Sequence, residues 1–201
     1  SQVSDGQFAI VCGRASENFS KVVKAIQCGL NVYVEKPFAL EVDSADEMIA
    51  IASEKDLQLY FSNAFLFHEK IFSITHAGGK IKDVYELKIT WIDEDTTKTN
   101  RGRRKYDQSL TVYEDILPHV LNIAGSILQT EEIDFSDLVV DRYGQKLKIT
   151  FKIGKTHVQF LLERNGSSRV RELEIFGFSE NVTIDFSKRQ PSEQYLLQIK
   201  K

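Results

Sequence analysis

An α/β unit followed by an α+β unit is the fold class this sequence predicts, and three observations predict it. Residues 8–61 read as strand, helix, strand, helix, strand in quick succession, the pattern of half a doubly wound parallel sheet. After Phe67 the pattern changes to strands in which apolar and polar residues alternate, as in a sheet with one buried and one wet face. Between those strands, Val112 to Leu128 is apolar enough for a helix lying across the sheet. The expected division is residues 1–66 for a partial dinucleotide-binding type of unit and 67–201 for an α+β unit of mainly antiparallel sheet with helices on one face.

Phe8 to Cys12 is a short continuous apolar run, suited to a buried strand. Gly13 and Arg14 break it. Ser16 is placed to cap the following helix, whose stripe is Phe19, Val22, Val23, Ile26 and Leu30, and Gly29 suits a left-handed stop. The next strand, Val32-Tyr33-Val34, is rich in β-branched and aromatic residues, as in a strand covered on both faces. It runs directly into Glu35-Lys36-Pro37. Asp43 or Ser44 is placed to cap a second helix with the stripe Ala45, Met48, Ile49 and Ala52, fading at Lys55-Asp56. Leu57 to Phe61 is the third strand, ending at Ser62-Asn63.

Glu69 to His76 reads as a short helix before Gly78-Gly79. Tyr85, Leu87, Ile89 and Trp91 then alternate with Glu86, Lys88 and Thr90. Asp93 to Ser109 is a polar stretch that carries Arg101, Arg103, Arg104 and Lys105. Later alternations are Leu147 to Ile153, Val158 to Leu162, Leu173 to Ile175 and Val182 to Phe186. Gly154-Lys155 and Asn165-Gly166 separate some of these with hairpin chemistry.

Composition excludes several classes. With 42% hydrophobic and 27% charged residues the chain is ordinary for a globular protein, and a net charge of −3 gives no electrostatic case for nucleic acid or anionic membranes. No apolar run approaches a membrane span. Cys12 and Cys28 have neither disulfide-framework nor metal-ligand spacing, so they are expected to be reduced packing residues of a cytoplasmic protein. No metal is expected.

The chemistry-bearing residues fall in two stretches. Glu35 and Lys36 stand at the carboxyl end of a parallel strand, where ligands of such sheets sit, and a cis Lys36–Pro37 bond there would aim the Lys side chain. By spacing alone they are equally the opening of a solvated loop. Gly13 and Asn63 stand at the other two strand ends. The second stretch is Tyr113 to Val120, where Asp115 and His119 are four apart and share a helix face. Pro118 complicates this, because a helix beginning at that proline would not align the pair. A purely structural Asp-His pair has the same spacing.

Together these stretches resemble the Gfo/Idh/MocA oxidoreductases, which include glucose–fructose oxidoreductase and inositol dehydrogenase. The resemblance runs from Phe8 to about Phe186, with Glu35-Lys36-Pro37 as its most specific motif and Asp115/His119 as its second. It implies a Rossmann-like unit and an NAD- or NADP-dependent hydride transfer on a hydroxyl or keto carbon of a sugar, sugar derivative or cyclitol. By that resemblance Glu35, Lys36, Pro37, Gly13 and Asn63 frame the cofactor, and Lys36, Asp115 and His119 are catalytic. Asp115 also holds the substrate, and His119 exchanges the proton. Arg103 and Arg104, in a basic run with Arg101 and Lys105, would clamp an anionic substrate; a solvated loop is the plainer reading. The wet sheet face (Glu86, Lys88, Thr90, Lys148, Thr150 and Lys152) would carry a homodimer or homotetramer contact.

The sequence departs from that family's pattern. Gly13-Arg14 and Ala15 to Asn18 stand where Thr-Pro and Asn-x-x-His are usual, so Asn18 replaces a histidine. Leu66-Phe67 replaces Arg-Phe, and Ser109 to Val112 replaces a glycine run. No Gly-x-Gly-x-x-Gly turn occurs, so these residues alone are expected to bind NAD or NADP weakly or not at all, as a truncated form of such an enzyme. The competing expectation is a non-catalytic binding or assembly module that keeps the fold without the cofactor.

Overall fold

The computed structural model describes residues 7–76, 81, 83–94, 97–99, 102–104, 110–129, 136–143 and 145–187. The chain divides into two compact units, Ser1–Asn63 and Ala64–Lys201.

In the first unit, β1 (Phe8–Val11), β2 (Asn31–Val34) and β3 (Leu59–Phe61) form a parallel sheet in the order β1-β2-β3. The helices α1 (Asn18–Gln27) and α2 (Val42–Glu54) pack against Val11, Val32 and Val34 through Val22, Ile26, Met48 and Ala52. Gly29 takes φ +76° and ends α1 as expected. The sheet's other face is not closed by described residues: Phe8 is 46% and Ile10 73% exposed. Ser16 does not cap α1. It lies in a 3-10 turn, Ala15–Glu17, that leads into the helix with no side-chain cap bond. Nor do Asp43 or Ser44 cap α2, whose N-cap position is Glu41, and Ile49 is exposed rather than part of the buried stripe. Cys12 and Cys28 are both free and exposed, not packing residues.

The second unit is built on a six-stranded sheet. Its strands are β4 (Val84–Glu94), β7 (Ser136–Tyr143), β8 (Lys146–Ile153), β9 (Thr156–Gly166), β10 (Val170–Gly177) and β11 (Asn181–Asp185), in the order β11-β10-β4-β9-β8-β7. Every pairing is antiparallel except β4 with β9. The helices α3 (Glu69–His76) and α4 (Val112–Leu128) cover one face, where Leu87, Ile89, Trp91, Phe160, Leu162, Leu173 and Ile175 meet Ile71, Ile116, Val120 and Ile123. A separate two-stranded ribbon, β5 (Thr97–Thr99) with β6 (Gly102–Arg104), occupies part of the polar stretch, whose residues carry no apolar alternation to mark a strand. β7 was likewise not legible, because its apolar residues Val139 and Val140 are adjacent and exposed rather than alternating.

The largest topological correction concerns Asn165-Gly166. Gly154-Lys155 does join paired strands, with Ile153 opposite Thr156 and Gly154 at φ +57°. Asn165-Gly166 joins none, because β4 lies between β9 and β10. The dipeptide forms a bulge instead. Asp93 faces Arg164, Glu94 faces Gly166, and Asn165 is left over at φ +61°. Glycine is required here by close approach, since a Cβ on Gly166 would fall 2.2 Å from Ile92 Cγ2. Gly166→Ala is therefore expected to lower stability by about 1–3 kcal/mol in urea unfolding. In an Ile92→Ala background the same change should cost much less, and an undiminished cost would show that the contact is not the cause.

Candidate functional site

In the first unit the turn after β2 is fixed from several directions. The Glu35 N–H donates to Val11 O at 2.9 Å and the Ser62 N–H to Val34 O at 2.8 Å, so the ends of β1, β2 and β3 are tied together. Asn18, the first residue of α1 and 1% exposed, donates its amide to Pro37 O at 2.8 Å and to Glu35 O at 3.2 Å. The family-pattern histidine position therefore holds a residue that braces the Glu35-Lys36-Pro37 turn. The Lys36–Pro37 peptide is cis. The Lys36 N–H donates to the Glu35 carboxylate at 3.3 Å, Pro37 is buried, and Glu35 and Lys36 are half-buried. Gly13 is exposed in the β1–α1 connection, and Asn63 is buried just past β3.

Two buried acceptors of this unit, Asn18 Oδ1 and Asn63 Oδ1, have no hydrogen-bond partner among the described residues. Asn63 lies just past β3, and Asn18, at the start of α1, bonds the turn that follows β2. Unpaired buried oxygens are costly, and ribose hydroxyls or a carboxamide would supply the missing donors. The nicotinamide end of a dinucleotide thus suits these residues.

In the second unit α4 begins at Val112, not at Pro118, so Asp115 and His119 are both helical and four apart. Thr111 caps the helix with a reciprocal capping box: its hydroxyl accepts from the Glu114 N–H, and the Glu114 carboxylate accepts from the Thr111 N–H at 2.6 Å. The Thr111 hydroxyl, which also donates to the Glu114 carboxylate at 2.6 Å, and then the Thr111 N–H hold the Glu114 carboxyl below its ordinary value. Pro118 is accommodated inside the helix, and its carbonyl accepts from Asn122 at 2.8 Å.

Asp115 is not free to act alone. Arg164 of β9, 3% exposed, donates to Asp115 Oδ2 at 2.6 Å and also to Leu110 O. A buried guanidinium needs such a counter-charge. His119 is buried and stacks on Trp91 (centroids 5.5 Å, planes 11° apart), with Phe65 edge-on at 4.9 Å. Trp91 donates its indole N–H to Asp93 Oδ2 at 3.1 Å, and Arg171 donates to Asp93 Oδ1 at 2.6 Å.

The structure therefore places Asp115 and His119 together, and Glu35, Lys36 and Pro37 together with Asn18, each set within its own unit. Arg103 and Arg104 stand on β6; their side chains, and Arg101 and Lys105 altogether, lie outside the described residues. Among the described residues no cluster of metal-ligating side chains occurs, and no helix is long and apolar enough to cross a membrane. A groove of about 340 Å³ lined by Glu86, Thr150, Lys152, His157 and Gln159 lies on the wet sheet face, away from Asp115 and His119. Arg164 and Arg171 escaped the sequence reading, although a signal existed. Each continues an inward alternation, Val158-Phe160-Leu162-Arg164 and Arg171-Leu173-Ile175.

Known proteins agree with this architecture. Residues 2–63 match the oxidoreductase family with an NAD-binding Rossmann fold, Gfo/Idh/MocA. An uncharacterized oxidoreductase, YhhX of Escherichia coli (strain K12), is 30% identical over 89 residues, covering 41% of this chain and 25% of that protein. In fold, the chain is similar to UDP-N-acetylglucosamine 3-dehydrogenase GnnA from Acidithiobacillus ferrooxidans (TM-score 0.78, 18% identity, 96% of this chain and 67% of that one). It is also similar to a putative myo-inositol dehydrogenase from Sinorhizobium meliloti 1021 (TM-score 0.73, 14% identity, 90% and 58%). The aligned part is thus a quarter of the curated relative and little more than half of the second structure.

The capping box gives a pH test. Because folding holds the Glu114 carboxyl low, its charge contributes stability above the unfolded-state value, and that contribution is lost as pH falls through the folded one. Glu114→Ala should cost about 1 kcal/mol at neutral pH. Thermal melts should show the gap to wild type closing once pH drops below the ordinary carboxylate range, and a gap constant with pH would contradict the assignment. By sequence over its first unit and by fold over nearly its whole length, the chain resembles the Gfo/Idh/MocA oxidoreductases.

Proposed function

We propose that this chain carries the nicotinamide-side turn and the substrate unit of an NAD(P)-dependent oxidoreductase acting on a hydroxyl or keto carbon of a sugar, sugar derivative or cyclitol. The observation that carries the reading is the Glu35-Lys36-Pro37 turn, braced by buried Asn18 at the strand ends of the unit that matches an NAD-binding fold. The titles of similar structures, a UDP-N-acetylglucosamine 3-dehydrogenase and a putative myo-inositol dehydrogenase, favour carbohydrate-like substrates.

When bound, the nicotinamide cofactor would accept or supply the hydride. Glu35, Asn18 and Asn63 would hold its ribose and carboxamide end, with Gly13 leaving room beside them. The Lys36 ammonium would stabilise the developing alkoxide of the reacting carbinol. His119 would take up or return the hydroxyl proton at an imidazole nitrogen, and stacking on Trp91 fixes its ring plane. Asp115, bonded to Arg164 through Oδ2, would hold a substrate hydroxyl. Wet-face residues Glu86, Lys88, Thr90, Lys148, Thr150 and Lys152 would carry a homodimer or homotetramer contact.

The test is nicotinamide-linked turnover by the full-length protein over a panel of sugars, uronic acids, sugar phosphates and cyclitols. His119→Asn and Lys36→Met should each reduce kcat by about 10²–10⁴-fold, with smaller changes in KM. Variants with undiminished kcat would remove these residues from the mechanism. Absence of turnover and of NAD or NADP binding throughout would favour the non-catalytic module.

A further inference from the structure

Asp115 and His119 share their end of the second unit with two more guanidinium groups whose donors are not used up. Arg171, opposite Trp91 in the β10–β4 pairing, lies over the Trp91 ring at 4.3 Å and over Phe65 at 5.7 Å. Its Nε and Nη2 both go to the same oxygen, Asp93 Oδ1, at 3.1 and 2.6 Å. Its Nη1 has no hydrogen bond among the described residues. Arg169 stands two positions earlier, on the same side of an extended segment. Its main-chain N–H donates to Glu94 at 3.2 Å, but its side chain has no hydrogen bond or ion pair among the described residues, and Nε is buried.

Among the described residues Arg164 is matched by Asp115 and Arg171 by Asp93, while the Arg169 side chain takes part in no ion pair. The proximity of Arg169 and Arg171 is felt electrostatically: burial depresses the Arg171 pKa, Asp93 opposes that, and the Arg169 charge pushes the same way as burial. Two arginines two residues apart, one with its guanidinium over aromatic rings and one whose buried Nε has no hydrogen-bond partner among the described residues, carry the chemistry of an oxyanion receptor. An anion would satisfy the idle donors and relieve the repulsion between the cations.

The geometry points to Arg169 and Arg171 as an anion subsite that receives a carboxylate or phosphate group of the substrate. The word substrate rests on the function proposed above; the anion site itself rests on the two arginines. Trp91, which carries Arg171 on its ring, also stacks on His119, so the subsite is one ring away from the candidate proton-exchanging group. This assigns recognition of an anionic sugar derivative to β10 instead of the basic run at Arg103 and Arg104.

The chain contains a single tryptophan, so Trp91 emission reports on this site directly. The 201-residue chain would be titrated at constant ionic strength with inorganic phosphate, glucose 6-phosphate and glucuronate, with glucose as the neutral control. A saturable change is expected with at least one anion and none with glucose, and the stronger responder tells a tetrahedral from a planar group. Arg169→Gln, checked for folding by circular dichroism, should raise Kd for that anion at least tenfold, and Arg169→Lys should raise it less. No saturable response to any anion, or an unchanged Kd in Arg169→Gln, would overturn the subsite. Turnover in the full-length protein is scored separately, so an anion response without turnover would retire the oxidoreductase reading and leave the subsite standing.

Discussion

The second unit depends on one buried charge. Arg164 ends the inward-facing row of β9 at a place where its neighbours are apolar, and an unpaired guanidinium there would cost several kcal/mol. Among the described residues it reaches toward α4, donating to the Asp115 carboxylate and the Leu110 carbonyl. Both acceptors lie at or just before the first turns of the helix. The requirement that Arg164 be paired therefore fixes where α4 starts against the sheet, and with it the position of His119 one turn further on. The Thr111–Glu114 capping box works in the same direction, because it defines the helix start that the Arg164 contact needs.

The first unit has a counterpart in Asn18. Its buried amide spans the carbonyls of Glu35 and Pro37, so the turn that follows β2 is held from α1 as well as by the Glu35 carboxylate. A histidine there could join proton transfer; an asparagine cannot, and its contribution is to shape. In the proposed function acid–base work therefore falls to His119, whose surroundings are aromatic on more than one side. On the same proposal, Asn18 Oδ1 and Asn63 Oδ1, without partners among the described residues, would accept from a bound ligand.

How much of this was legible in the sequence follows from what each signal measures. Periodicity located α1, α2, α3 and α4 and the long strands, because each buries one face. It could not give strand order. Asn165-Gly166 carries the residues of a hairpin turn, yet they serve a bulge and a close approach to Ile92, a contact made by a strand distant in sequence. Helix caps were misassigned at Ser16, Asp43 and Ser44 because a suitable side chain does not oblige the backbone to use it. Among the candidate residues, spacing marked Asp115 and His119 in the second unit and strand-end position marked Lys36 in the first. Arg164, which pairs with Asp115, and Arg171 were missed, although inward alternation marked both. Charged residues in an apolar register are the signal to follow.

Because the site geometry is made to depend on a single buried pair, a double-mutant cycle on Arg164 and Asp115 tests the account most directly. Unfolding free energies of Arg164→Met, Asp115→Asn and the double variant would be compared with wild type. The predicted result is a coupling energy above about 1 kcal/mol, with the double variant far less damaged than the sum of the single changes. Additive effects, with coupling near zero, would contradict the claim that Arg164 holds the start of α4 in place.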